Sequence, residues 1–235
     1  MPNMATRFLT PTIPRNRPHP VAVENATVDA QLILAVDTST SVTQDRFELQ
    51  QQGYVAAFRD PRLLSAVGAG MRRTIAVAMV QWTGPTTQEL VVDWHRISNS
   101  AEAETLAQAI AATKRRWAWG DTSISGMIDY AVKLFDQTDL RGARRVLDIS
   151  GDGENNTGRA ATEARDEAVA QGIIINGLPI MTVEPELDVR YREDVIGGAG
   201  AFLIAIDNYD DFAAAIMRKL ITEIADTGAA SGGVG

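Results

Sequence analysis

Cysteine is absent from this 235-residue sequence, and histidine occurs only as His19 and His95. Without thiols there is no disulfide, no thiolate zinc site and no cysteine nucleophile. Two histidines are too few for a His-rich metal centre. A Ser-His-Asp arrangement would rest on His95 alone, because His19 lies in a proline-rich leader. Several phosphate and acyl-transfer signatures are missing too. There is no Walker A loop and no G-x-S-x-G elbow, and Gly68-Ala69-Gly70 precedes a strand where a dinucleotide fingerprint must follow one. A haloacid-dehalogenase-type phosphatase needs a second aspartate two residues after the first, and that position holds Ser39. No apolar run approaches the ~18 residues of a membrane span. Positive charge is also in deficit, with 22 Lys and Arg against 30 Asp and Glu, a net charge of −8 and a pI near 4.8. That balance argues against a general nucleic-acid binder.

What is present is an ordinary globular composition, 45% apolar and 22% charged, long enough for one large domain. Five of the nine prolines (Pro2, Pro11, Pro14, Pro18, Pro20) fall in the first twenty residues, and no acidic residue precedes Glu24. Residues 1–28 therefore read as a disordered Pro/Arg leader. They lack the apolar core of a secretory signal, which points to a cytoplasmic location. Residues 227–235 read as a Gly/Ala/Ser tail, leaving 29–226 as the domain.

Within it, short apolar runs alternate with helical patterns. Leu32–Val36 is a buried strand. Phe47, Tyr54 and Phe58 share one helical face, and 61–67 adds a short helix. Thr74–Trp82 and Gln88–Trp94 flank a Gly-Pro turn as an antiparallel hairpin, with Trp82 and Trp94 in the core. A helix over 99–113 follows, then a loop, then a helix with Ile124, Ile128, Ala131 and Phe135 on one face. Strands at Arg145–Ile149, Ile173–Ile180 and Ala201–Ile206 alternate with helices at 159–171 and 187–196. A closing helix over 209–225 buries Phe212, Ile216 and Leu220. The pattern predicts an α/β fold: a doubly wound, mostly parallel six-stranded sheet, Rossmann-like, with helices on both faces and one antiparallel edge strand.

In such sheets ligands bind beyond the carboxyl ends of the strands. There the first strand delivers Asp37-x-Ser39-x-Ser41, and the strand at Arg145–Ile149 leads to Ser150-Gly151-Asp152-Gly153. Thr122 opens a helix between them. Taken singly, Asp or Ser after a strand caps the next helix, and Gly-Asp-Gly is a turn. Converging on one sheet edge, they make a mixed carboxylate and hydroxyl oxygen site suited to a hard divalent cation, Mg²⁺ first, with Mn²⁺ or Ca²⁺ as alternatives. Neutral hydroxyls would leave positive charge on the ion and an open position for an acidic group of a partner. The loop Lys114-Arg115-Arg116-Trp117-Ala118-Trp119 runs straight into Asp121 and Thr122. Either Arg115, Arg116, Trp117 and Trp119 clamp that partner, with Asp121, Glu154 and Asn155 beside them, or the indoles simply pack and the charges are solvated.

Asp37, Ser39, Ser41, Thr122 and Asp152 resemble, position by position, the metal-ion-dependent adhesion site (MIDAS) of von Willebrand factor A-like (vWA) domains. The order of elements is similar over residues 30–226. The resemblance implies that Ser39, Ser41 and Thr122 ligate directly or nearly so, that the aspartates act partly through water, and that the closing helix couples to the metal site. Ser150–Gly153, Asn155-Asn156, Ile175–Ile180 and Val195–Gly198 are similar to a bacterial A-domain family of unassigned function, whose members often carry export signals. This resemblance leaves export open as a second location. The expected function is a non-enzymatic, divalent-metal-dependent module that binds an acidic side chain of a protein partner. Alternatives are a metal-dependent hydrolase of phosphoesters, with Asp121, Asp152 or Glu154 as general base, and a vWA subunit of an ATPase-driven complex.

Overall fold

A computed structural model describes residues 27–225; the expected leader up to residue 26, and the tail from 226, lie outside the described residues. The central strand, β1 (Thr27–Asp37), is buried at every position after its first and starts ahead of the boundary expected at 29. Alternate side chains of a strand point to opposite faces. Leu32, Leu34 and Val36 accordingly enter one apolar cluster, and Ile33 and Ala35 the other. The first cluster takes Phe47, Tyr54 and Phe58 from α1 (Gln44–Arg59) and Leu63 from α2 (Pro61–Ala69). It also takes Leu106 from α3 (Ser100–Ala111) and Phe212, Ile216 and Leu220 from α7 (Phe212–Ala225). The second takes Ile124 and Ile128 from α4 (Ile124–Leu134), Ala164 and Ala168 from α5 (Ala161–Ala170), and Leu187 from α6 (Leu187–Arg190). Each fully buried Leu, Ile or Phe contributes about 1.5–3 kcal/mol, so the two layers hold the sheet from both sides.

The remaining strands are β2 (Ile75–Trp82), β3 (Gln88–Ile97), β4 (Arg141–Gly151) and β5 (Ile173–Pro179). Their order is β3-β2-β1-β4-β5. All pairs are parallel except β2 with β3, which is the predicted hairpin at the predicted edge. Trp82 is fully buried, while Trp94 is only partly covered and packs on Phe135.

The expected sixth strand at Ala201–Ile206 is not a continuous one. The segment runs beside the end of β5 and pairs there through two separate parallel bridges, Gly177 with Leu203 and Ile180 with Ile206. The ladder is interrupted between them at Pro179, which has no amide hydrogen to donate, and ahead of them the Phe202 amide donates to the side-chain Oδ1 of Asn176 (3.0 Å). The sheet has five strands. Among the described residues no helix is long and apolar enough to cross a membrane.

The order of the sheet reverses between β1 and β4, where the chain winds outward in both directions. Crevices form at such a point, outside the carboxyl ends of the strands. Val36 lies in register with Ser150, so Asp37 and the Gly151-Asp152 corner leave the sheet side by side.

Candidate functional site

Beyond that switch point, Asp37 folds its loop back on itself. Its Oδ1 accepts the Ser39 amide at 2.7 Å, an Asx turn that aims the next hydroxyls across the strand end. Ser39 Oγ and Ser41 Oγ stand 3.2 Å apart. Ser41 Oγ makes a very short hydrogen bond to Asp152 Oδ1, which ties the first loop to the second. Thr122 arrives by a different route. The β2–β3 turn holds its neighbours: the Ser123 amide donates to Thr83 O (2.8 Å), and Thr83 Oγ1 donates to Asp121 O (2.6 Å). Thr40 and Gly120 pair through the Thr40 hydroxyl and both amides. On the far side the Thr122 amide donates to Asn156 Oδ1 at 2.9 Å, and the Asn156 amide returns to Thr122 O at 3.0 Å. The five residues singled out in the sequence thus meet at one corner. Ser39, Ser41, Thr122 and Asp152 line an open cleft of about 370 Å³, and Asp37 is fully buried behind it.

The electrostatics of this corner are unbalanced. Asp37 and Asp152 are both inaccessible to solvent. Burial first, and the Asp152 charge second, push the Asp37 carboxyl up to about 7, against the hydrogen bonds from Ser39 and a weaker one from the Asp152 amide that favour its ionised form. Asp152 is compensated: Arg46 Nη1 lies 3.2 Å from its Oδ2, and the Tyr209 hydroxyl donates to the same oxygen at 2.9 Å. Asp37 has no ion-pair partner among the described residues, and its Oδ2 is buried with no hydrogen bond. A buried acceptor left unmade costs about 1–3 kcal/mol. Gly151 leaves room beside it, since a β-carbon there would come within 3.0 Å of Asp37 Oδ2.

Two buried carboxylates, one unsatisfied, behind three converging hydroxyls form a donor set that fits a hard divalent cation. Among the described residues no group of three or more Asp, Glu, His or Cys could hold a metal. The hydroxyls would therefore supply much of the coordination, as the sequence pattern requires.

The residues expected to touch a partner are placed differently from one another. Trp119 is 76% exposed, and Trp117 is half-buried. Arg116 is tied to Glu89 in an ion pair on β3. Arg115 turns inward and donates to Ser39 O at 3.0 Å and Thr38 O at 3.4 Å, holding the Asp37–Ser41 loop from behind. Asp121 is exposed on the cleft wall, and Glu154 is exposed with Arg190 3.7 Å away. Asn155 caps α4 instead: its Oδ1 accepts the Ser125 amide at 2.9 Å. The sequence reading did not single out Arg46, Asn156, Tyr209, Tyr191 or Glu184. Glu184 closes one side of the cleft, and burial pushes its carboxyl upward.

Comparison with known proteins bears on the fold. No curated protein matches the chain. Proximal thread matrix protein 1 from the mussel byssus aligns over 85% of this chain and 48% of its own, with a TM-score of 0.64 at 16% identity. A form of that protein described as having a zinc-occupied MIDAS motif gives 0.59 at 13% identity, over 86% of this chain and 48% of its own. A von Willebrand factor type A protein from Catenulispora acidiphila gives 0.57 at 15% identity, over 86% of this chain and 43% of that one. The chain spans about half the length of these solved structures, and at such identities the likeness concerns the fold, which is von Willebrand factor A-like. A family model described as a protein of unknown function, DUF1194, matches residues 27–228, and the chain belongs to that family.

Proposed function

We propose that the protein is a non-enzymatic binding module that holds a divalent cation, Mg²⁺ by the chemistry of its donors, and captures an acidic side chain of a protein partner. The observation that carries this reading is the unsatisfied, fully buried Asp37 carboxylate beside Asp152, behind Ser39, Ser41 and Thr122. In this role the three hydroxyls ligate, and the two aspartates balance charge and orient ordered water. A bound cation would supply net positive charge at the floor of an otherwise acidic cleft. The zinc-occupied MIDAS described for the mussel byssus protein supports a divalent ion at the corresponding fold position.

Around the floor, exposed Trp119 and half-buried Trp117 offer flat apolar surface for the partner. Arg115 acts through the loop it holds. The hydrolase reading has less behind it: of its three candidate bases, Glu154 sits near Arg190, Asp152 already accepts from Arg46, Ser41 and Tyr209, and only Asp121, exposed on the cleft wall, is left. A general base needs a free lone pair within reach of the water. Association with an ATPase remains a separate proposal, decided by co-purification. The test of the main reading is retention of partners from a lysate by immobilised protein in Mg²⁺. Capture should be lost with EDTA and in Asp37→Ala. Identical partners under all three conditions would sink it.

A further inference from the structure

Tyr191 opens a one-turn π-helix, Tyr191–Val195, directly after α6. Such turns are rare and occur often at functional sites. Its side chain is fully buried, and its ring packs against Gly177 of β5, where a β-carbon would approach Cδ1 to 2.7 Å. The phenol oxygen reaches further and finds no hydrogen-bond partner. The acidic groups that act on it are Asp37, Asp152, Glu184 and Asp148. A second buried orphan, Asp37 Oδ2, faces the same spot, since a β-carbon on Gly151 would lie 3.0 Å from both oxygens. Two points that close to a common centre are at most twice that distance apart, a gap that one water and a small rotation of the carboxylate close. One orphan is a hydroxyl able to donate, and the other a carboxylate oxygen able to accept. Each is buried, each lacks what the other offers, and only the absent side chain of Gly151 separates them.

We propose that Tyr191 is a positioning residue of the metal site. Its hydroxyl donates to Asp37 Oδ2, through one ordered water or a small rotation of the carboxylate, and orients Asp37 for the cation. The inference rests on the metal-binding reading above and extends it to a residue of the apolar layer that Asp37 faces. Outer partners of metal-site carboxylates fix ligand orientation, and their removal costs about 10–100-fold in metal affinity. The π-turn has a role in this picture, because its geometry carries the phenol past β5 to the back of β1.

The experiment is a double-mutant cycle on Mn²⁺ affinity, read by calorimetry on the full chain as wild type, Tyr191→Phe, Asp37→Asn and the double variant. Phe keeps the ring on Gly177 and deletes only the hydroxyl. Tyr191→Phe should weaken Mn²⁺ at least about tenfold, with only the small fall in metal-free melting temperature that the loss of one hydrogen bond to Asp37 brings. In the Asp37→Asn background the same substitution should have no further effect. Additive losses in the double variant, or a metal-free melting temperature that falls in step with affinity, would show a packing role and overturn the inference. Wild-type affinity retained in Tyr191→Phe while Asp37→Asn weakens binding would overturn this inference alone. A wild-type chain that binds no Mn²⁺ would overturn the metal reading with it.

Discussion

At the scale of single residues, the account turns on a carboxylate whose surroundings oppose its charge. Asp37 is raised from 3.8 to about 7 by burial and by Asp152. A carboxyl raised in the folded state contributes stability that is fully present below its unfolded value and is lost as pH rises through the folded one. The metal-free protein should therefore lose stability, on the order of a few kcal/mol, between about pH 4 and pH 7. Denaturant unfolding in EDTA at pH 5 and pH 8 measures the loss, and Asp37→Asn should shrink it. Some slope will remain, because buried Asp148 is also raised to about 7. Equal slopes in wild type and variant would show that Asp37 does not carry the strain. Asp37, Ser39 and Ser41 were legible in the sequence because the ligand pattern is local, with period two along an extended segment. Arg115 was legible as a residue of interest but not in its role. Charge and position suggest a solvent-facing clamp, whereas its guanidinium donates inward to the carbonyls of Thr38 and Ser39. Arg46 and Tyr209 gave no signal, since each meets Asp152 only across a fold-level distance.

At the scale of elements, α7 illustrates what periodicity leaves out. The spacing of Phe212, Ile216 and Leu220 predicts the buried face, and all three are buried. The same face also carries Lys219 and Glu223. Lys219 Nζ lies 2.5 Å from Asp148 on β4 and 2.5 Å from Glu223, with every group buried. Asn176 of β5 donates to Glu223 at 2.8 Å. This cluster ties the closing helix to the sheet strand that ends in Asp152. Asp148 and Ser150 lie on one face of β4, and Asp152 follows immediately after the strand, so the anchor is joined to the metal corner through β4. Lys219→Met would strand two buried carboxylates and should cost about 3–5 kcal/mol at pH 7. Without the lysine the Asp148 carboxyl, already raised by burial, rises further, so the penalty should shrink at pH 5 as it takes up a proton. Chemical unfolding at the two pH values checks this; an equal cost at both would contradict it. A buried lysine is invisible to apolar periodicity: Glu223 at i+4 reads as an ordinary surface pair, and Asp148, which makes burial possible, lies far away in sequence. The missing sixth strand has a similar origin. Ala201–Ile206 has strand composition, but its partner Pro179 has no amide hydrogen for the ladder, and the Phe202 amide is taken by the Asn176 side chain.

At the scale of the molecule, alternation of strands and helices was enough to give the doubly wound sheet, its antiparallel edge and the end at which a ligand would bind. The early hairpin left its mark in a Gly-Pro turn between two apolar runs. What the sequence could not show is how the loops are braced. Thr122 depends on Thr83, Asn156 and the Thr40–Gly120 pairing, none of which is implied by the ligand pattern itself. The central claim is that three loops from separate parts of the chain make one divalent-cation site. Calorimetric titration of Mn²⁺ into the full chain at neutral pH tests it most directly. One ion should bind per chain, and Asp37→Ala, Thr122→Ala and Asp152→Ala should each weaken it by at least about tenfold, although the substitutions lie on different loops. Binding that persists undiminished in all three, or no binding by the wild type, would contradict the account.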